Sequence, residues 1–269
     1  MTHVYDTLMD GLAALAVEAV HDPAMAVQAY WLALLACQGS PTVARTRAAL
    51  LQRAQEDTEL SLPPWAQPLA SRALERLWRD GVWLETAVSR MQSRGCTDPA
   101  LPWRTPGQPV VRWQTAYQPY VDEIRDQACR LWQAACRLYG PWPPDLAAVP
   151  GEVRRGAVLF DAGLYFACHE YFETLWGRTE DAASDFYQGI IQAAVAMRHL
   201  ESHQVRGARI LLRSGLGRLW RYPSVYQGLH LAAWRERLER LLEHLDALPS
   251  PAAYQFDPLH IPPLLDPER

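Results

Sequence analysis

Apolar residues recur every three or four positions along most of the chain, the spacing that places them on one face of an α-helix. Helix-breaking residues divide this pattern into helix-length segments. Asp22-Pro23 and Ser40-Pro41 each pair an N-capping side chain with a proline suited to the first helical turn. The pattern predicts helices over residues 3–20, 23–38, 41–60 and 63–79, a fifth ending before Gly95, and then 119–139, 145–159, 162–177, 182–201, 204–219 and 225–247.

Strand patterns are almost absent, and only residues 110–113 are compatible with a short strand. The expected fold class is therefore all-α, with a helical-repeat-like N-terminal region and a C-terminal antiparallel helical bundle. Prolines cluster at 96–119, 141–144 and beyond 249, which suggests the segment boundaries. We expect a helical N-terminal region (1–95), a Pro-rich linker with one helix (96–144), a helical bundle (145–248) and an extended Pro-rich tail (249–269).

Composition narrows the class of protein. Hydrophobic residues make up 49% of the 269 and charged residues 21%, which indicates a packed core and not a disordered chain. A formal charge of −4 argues against a general nucleic-acid-coating surface. No apolar run approaches the roughly 20 residues that span a bilayer, and no signal-peptide pattern opens the sequence. We expect a soluble, cytoplasmic protein without a membrane partner.

The most informative stretch is FDAGLYFACHEYFETLWG, residues 160–177. On a helix, His169 and Glu173 of its His-Glu-x-x-Glu (HExxE) motif share one stripe, because they are four residues apart. Three aromatic side chains fall near that stripe: Tyr165, Phe172 and Trp176. A histidine and a carboxylate are thus predicted to lie among aromatic residues.

The next predicted helix carries two amides on one stripe, Gln188 and Gln192. If the two helices form an antiparallel hairpin, the rise of 1.5 Å per residue brings these amides level with His169 and Glu173. Buried polar groups need partners, so we predict that the four side chains form one cluster in the seam between the helices.

Four interpretations of this cluster are open. It could be a hydrogen-bond network that fixes the register of the two helices, or the polar floor of a binding pocket walled by the three aromatic residues. It could hold a transition metal through His169 and Glu173 with Asp185, although glutamine is a poor ligand and a second histidine is missing. Acid–base catalysis by His169 with Glu173 is the fourth interpretation, for which no nucleophile or oxyanion donor is identifiable.

An arginine stripe on the predicted helix 204–219 is a separate candidate. Arg206, Arg209 and Arg213 share one face and could bind an anion such as phosphate or an RNA backbone. They could equally form a solvated face that is neutralised by acidic residues of the following helix.

The runs FDAGLYFACHEYFETLWG, FYQGIIQAAVAMRHL and RGARILLRSGLGRL resemble the signature of a helical-bundle family catalogued as domain of unknown function 309. The positions that carry the resemblance are Phe160, Gly163, Tyr165, His169, Glu170, Glu173, Trp176, Gln188, Gly189, Gln192, Gly207 and Ala208. The resemblance covers only the C-terminal part of the chain, and it implies an all-α bundle with no established activity.

The leading functional hypothesis is a non-catalytic module that binds a small molecule or a protein at the His/Glu/Gln cluster, without a resident cofactor. A metal-dependent enzyme that uses His169 and Glu173 is the alternative. A nucleic-acid accessory role through the arginine stripe is the second alternative, and nucleic acid is not the expected partner.

Overall fold

The computed structural model describes residues 2–37, 45–56, 62–80, 83–88, 109–144, 146–179 and 183–265. Over these ranges the predicted all-α class is confirmed, with one small antiparallel sheet in addition. The helices are α1 (Thr2–Ala19), α2 (Pro23–Ala36), α3 (Arg47–Glu56), α4 (Gln67–Asp80), α5 (Val121–Tyr139), α6 (Gly151–Asp161), α7 (Tyr165–Trp176), α8 (Ser184–Glu201), α9 (Val205–Leu219) and α10 (Leu231–Ala247). None of these helices is both long and apolar enough to cross a bilayer.

The sheet corrects the prediction of a helix that ends before Gly95. Its strands are β1 (Arg45–Thr46), β2 (Leu84–Val88) and β3 (Pro109–Trp113), and β3 lies in the middle. Leu84 pairs with Trp113, and both side chains are buried. Pairing with a strand distant in sequence overrides the local preference, which is why periodicity alone failed here. Of the predicted Pro-rich linker (96–144), residues 96–108 lie outside the described ranges.

The start of α10 is a second difference. The predicted helix began at residue 225, whereas α10 begins at Leu231. Gln227 and Gly228 both have positive φ, and Tyr226 and Leu229 exchange backbone hydrogen bonds across them. Two successive left-handed residues make a tight turn that a helix cannot continue.

The chain divides into two compact units, Met1–Cys136 and Arg137–Arg269. In the first unit, α2 is buried from Ala26 to Ala36. The Trp31 indole N–H donates to the carbonyl of Ala70 at the start of α4, 2.9 Å away. Tyr30 packs against Trp132 of α5, with ring centroids 5.1 Å apart. This unit is thus organised around one almost wholly buried helix.

The second unit is a bundle in which consecutive helices pack on one another. The closest approach is between α8 and α9: a Cβ added at Gly189 would lie 2.7 Å from Leu219 Cγ, and one added at Gly215 would lie 2.9 Å from the Gly189 carbonyl oxygen. No side chain larger than hydrogen fits at either position without a shift. These two glycines therefore fix how closely the two helices cross.

The tail after α10 packs on the second unit. It contains two short 3₁₀ turns, Pro251–Ala253 and Pro258–His260. Ile261, Leu264 and Leu265 are buried, and the Trp234 indole N–H donates to the carbonyl of Pro262 over 3.1 Å. These contacts make the tail a part of the unit's core.

Candidate functional site

The position of α7 is set by the turn that precedes it. After α6 the chain reverses at Gly163, which has a φ of +73°. The N–H of Gly163 donates to the Phe160 carbonyl, and the N–H of Leu164 donates to the Leu159 carbonyl, both over 2.9 Å. This is the hydrogen-bond pattern of a glycine-terminated helix end. It closes α6 and starts α7 two residues later.

The inner face of α7 belongs to the core. Tyr165, Cys168, Tyr171 and Phe172 are buried, and an added Cβ on Gly156 of α6 would lie only 2.4 Å from the Phe172 ring. Phe172 also contacts Tyr187 of α8, with ring centroids 6.0 Å apart. This packing fixes the rotation of α7 and thereby decides which side chains face outward.

His169, Glu170 and Glu173 form a cluster at the outer edge of α7, which we call the HEE site. His169 Nε2 lies 3.0 Å from Glu173 Oε1, and His169 Nδ1 lies 3.2 Å from Glu170 Oε1. The imidazole side chain is 19% exposed, whereas each glutamate side chain is about half exposed (47% and 48%). Each ring nitrogen of a half-buried imidazole therefore has its own carboxylate neighbour.

The contact at Nδ1 is electrostatic and not a hydrogen bond. Nδ1 is buried and has no hydrogen-bond partner within the described part of the chain, although a Glu170 oxygen is 3.2 Å away. The two observations agree, because a hydrogen bond needs a favourable angle as well as a short distance. Phe166 stacks on the imidazole, with ring centroids 6.0 Å apart and planes 23° apart. The ring is thus held in place by packing more than by hydrogen bonding.

The HEE site offers three ligand atoms, one from each residue, that all lie within 4.8 Å of one another. Glu170 and Glu173 have no arginine partner among the residues the structure describes. Asp246 of α10 differs, since its carboxylate binds both Arg209 and Arg213 at 2.5–2.7 Å. A bound cation would supply the positive charge that this site lacks.

The two predicted amides both belong to α8. Gln192 is at the contact between α8 and α9, where its Cβ would be 3.3 Å from a Cβ added at Gly215. Its Oε1 is buried and accepts no hydrogen bond from any described residue. Gln188 is half-buried, and no hydrogen bond joins either amide to His169 or Glu173 within the described ranges.

The three predicted aromatic residues do not share one environment. Tyr165 and Phe172 are buried, and Tyr165 packs edge-on against Phe160 with ring centroids 5.4 Å apart. Trp176 is 37% exposed, and its indole N–H donates to Ser184 Oγ over 2.8 Å. The aromatic neighbour of His169 is instead Phe166.

The remaining candidates take part in ion pairs. Asp185 accepts hydrogen bonds from Arg218 and Arg221, so its carboxylate is engaged by arginines and lies outside the group of metal-ligand atoms. Two members of the arginine stripe, Arg209 and Arg213, bind Asp246, and Arg206 is exposed. The pairing with Asp246 supports the interpretation of this stripe as a neutralised face.

A different carboxylate lies behind α7. Asp161, at the end of α6, is only 4% exposed and accepts hydrogen bonds from Arg137 (2.9 Å) and from the N–H groups of Leu264 (2.5 Å) and Leu265 (3.3 Å). Burial raises the pKa of Asp161 to about 6, although Arg137 and the two N–H groups act in the opposite direction. Burial, followed by the charge of Asp161, also raises the pKa of the Cys168 thiol, which makes it a poor nucleophile.

Sequence reasoning missed two members of the α7 surface. Glu170 follows His169 directly, about 100° further around the helix, but its side chain is long enough to bring Oε1 within 3.2 Å of Nδ1. Phe166 precedes His169 by three residues, a spacing that indicates contact along a helix. The spacing was therefore visible in the sequence, whereas the reach of the glutamate side chain was not.

No curated protein and no solved structure matches this chain. Residues 153–211, which run from α6 into α9 and include the whole HEE site, match the model of a family described as Domain of unknown function (DUF309). The match confirms the resemblance noted in the sequence, and it is confined to the C-terminal part of the chain.

Proposed function

We propose that the second unit is a binding module that holds one divalent transition-metal ion at the HEE site. The observation that supports this proposal is the placement of two half-exposed carboxylates around one imidazole, without an arginine partner in the described residues. Imidazole together with carboxylate is a donor set that suits zinc, cobalt, nickel and manganese.

The two ring nitrogens would have different tasks. His169 and Glu173 are four residues apart, and Nε2 already lies 3.0 Å from Glu173 Oε1, so these two groups would be the ligands. Glu170 Oε1 lies 3.2 Å from Nδ1, and a rotation of the glutamate side chain would let it accept a hydrogen bond from the Nδ1–H group. A metal-binding histidine commonly donates its second N–H to a carboxylate, which orients the ring and strengthens it as a ligand.

Two protein ligands leave further coordination positions open. Zinc takes four ligands when its role is structural, and an open position is typical of sites that accept water or a donor group from another molecule. The role we propose is therefore to present a metal ion to a small molecule or a protein, in keeping with a non-catalytic module. The exposure of both glutamates gives such a partner access to the site.

The test is titration of the full chain, freed of metal with a chelator, with Co²⁺ and Zn²⁺. We expect one equivalent to bind, and Co²⁺ to show the visible absorption of a nitrogen–oxygen site. His169→Ala and Glu173→Gln should each weaken binding by about tenfold or more, and Glu170→Gln by about tenfold, since orienting residues contribute 10–100-fold.

His203→Asn is the matched control. His203 is exposed, and asparagine tolerates its φ of +56°, so the variant removes one imidazole without disturbing the fold. It should bind metal as the wild type does. The proposal fails if His169→Ala binds as tightly as His203→Asn, or if less than a tenth of an equivalent of either metal binds to the wild type.

A further inference from the structure

A groove of about 490 Å³ lies between α10 and the tail. No residue of the HEE site lines it, so the groove is separate from the proposed metal site. The lining residues are Arg237, Arg240, Leu241, His244, Leu259, His260, Ile261, Pro262 and Pro263. Its volume is within the range of pockets that hold small molecules.

Both walls of the groove are fixed. One wall is a stripe of α10, in which Arg237, Leu241 and His244 follow one another at helical spacing. The other wall is the tail, which the Trp234 indole N–H holds through the carbonyl of Pro262. The Asp161 carboxylate fixes the next residues through the N–H of Leu264. The groove is therefore a preformed part of the fold.

The groove has an apolar floor and a basic rim. Leu241, Ile261 and Pro262 are buried, whereas Leu259 is 91% exposed and forms an apolar edge. Every titratable side chain in the lining is an arginine or a histidine. Such a site suits a ligand with a negative head and an apolar body.

The two arginines of the groove are not neutralised by an ion pair within the described chain. Arg237 and Arg240 form no ion pair there, although Glu236 and Glu243 belong to the same helix. Arginines elsewhere in this unit bind Asp161, Asp185 and Asp246. Of the two histidines, His260 has an acidic neighbour, Asp257, whose Oδ2 is 3.7 Å from His260 Nδ1.

We propose that this groove binds a small soluble phosphate monoester with an apolar or aromatic body. Two permanently charged guanidinium groups match the charge of a phosphate monoester, which is between −1.5 and −2 near neutral pH, better than that of a carboxylate. Arginine also binds phosphate through two parallel hydrogen bonds. The histidines provide further donors, and the buried floor accepts the apolar body.

The test is calorimetric titration of the metal-free full chain with 1-naphthyl phosphate, inorganic phosphate and 1-naphthol. We expect saturable one-to-one binding of 1-naphthyl phosphate, at least tenfold weaker binding of inorganic phosphate and no measurable binding of 1-naphthol. The Arg237→Gln/Arg240→Gln double variant should lose at least tenfold in affinity. Leu259→Ser should weaken 1-naphthyl phosphate and leave inorganic phosphate unchanged.

Arg206→Gln is the matched control, because Arg206 is an exposed arginine of the same unit that does not line the groove. It should bind as the wild type does. Equal binding by the double variant and the wild type would overturn the proposal, as would equal affinities for inorganic and naphthyl phosphate. Sedimentation with phosphatidic acid vesicles, lost in the double variant and unaccompanied by naphthyl phosphate binding, would assign the groove to a membrane surface instead.

Discussion

Carboxylates lie on both sides of α7, and the two sides differ in how far these carboxylates are buried and paired. Behind the helix, Asp161 is buried and is held by one guanidinium and two backbone N–H groups. In front, Glu170 and Glu173 are half exposed and lie beside the imidazole of His169. The rear carboxylate is occupied by contacts that hold the fold together, whereas the front pair retains capacity for a ligand.

This contrast separates two reasons for a polar side chain near a helix. A buried charge must be paired, because an unpaired one costs several kcal/mol. Exposed pairs contribute at most about 1 kcal/mol to stability, so stability alone does not account for three ionisable groups that converge at one point. The inner and outer faces of α7 should therefore respond differently to substitution.

Two phenylalanines of α7 give the largest expected difference. Phe172→Ala on the inner face should lower the free energy of unfolding by about 3–5 kcal/mol, because it leaves a cavity against Gly156 and Tyr187. Phe166→Ala on the outer face should cost about 1 kcal/mol, since that ring is only half-buried. Urea unfolding of both variants measures this difference, and equal losses would contradict the assignment of the two faces.

The pH dependence of stability tests the rear carboxylate. The pKa of Asp161 is about 6 in the folded protein and close to 3.8 when unfolded, so the folded state binds the proton more tightly. The contribution of this group to stability is complete below about pH 3 and is lost as the pH rises through 6. The loss should amount to roughly 2 kcal/mol between pH 4 and pH 7.

Asp161→Asn isolates this effect, because the amide does not titrate in that range. The free energy of unfolding of the wild type minus that of the variant should fall by roughly 2 kcal/mol between pH 4 and pH 7. Urea unfolding at several pH values measures it. Parallel profiles for the two proteins would show that Asp161 titrates alike in the folded and unfolded states.

The smallest expected effect on stability comes from Glu170 and Glu173 of the HEE site. Glu170→Gln/Glu173→Gln should change the free energy of unfolding of the metal-free protein by less than about 1 kcal/mol, because both side chains are about half exposed. Added Co²⁺ should raise the thermal midpoint of the wild type and not that of the variant. A large loss of stability without metal would make the front carboxylates structural, like Asp161.

The helices could be predicted wherever the helix-capping and helix-breaking residues agreed with the spacing of the apolar residues. Asp22-Pro23 marks the start of α2, and the Asp22 carboxylate does accept the N–H of Ala24 over 2.8 Å. The sheet could not be predicted, because β2 depends on a strand that follows it by about two dozen residues. The proposed boundaries at residues 95, 144 and 248 stay predictions.

The candidate site could be predicted only in part. Spacing within one helix predicted the approach of His169 to Glu173. Hairpin arithmetic predicted that Gln192 would be level with them, but it carries no information on the rotation of α8. That rotation follows from Gly189 and Gly215, which bring α9 against the face that carries Gln192. The two glycines thus place the Gln192 side chain at the contact between α8 and α9.

The glycine crossing of α8 and α9 also bears on how long an autonomously folding piece must be. The family match ends at residue 211, before Gly215 and Leu219, the two α9 residues nearest Gly189. The Arg235 guanidinium of α10 then donates to the carbonyls of Leu219 and Tyr222, over 2.8 Å in each case, and so ties α10 to the end of α9. A fragment trimmed to the matched residues would lack half of this crossing. Because the tail that follows α10 is also part of the core, we expect the smallest self-sufficient fragment to extend through Leu265.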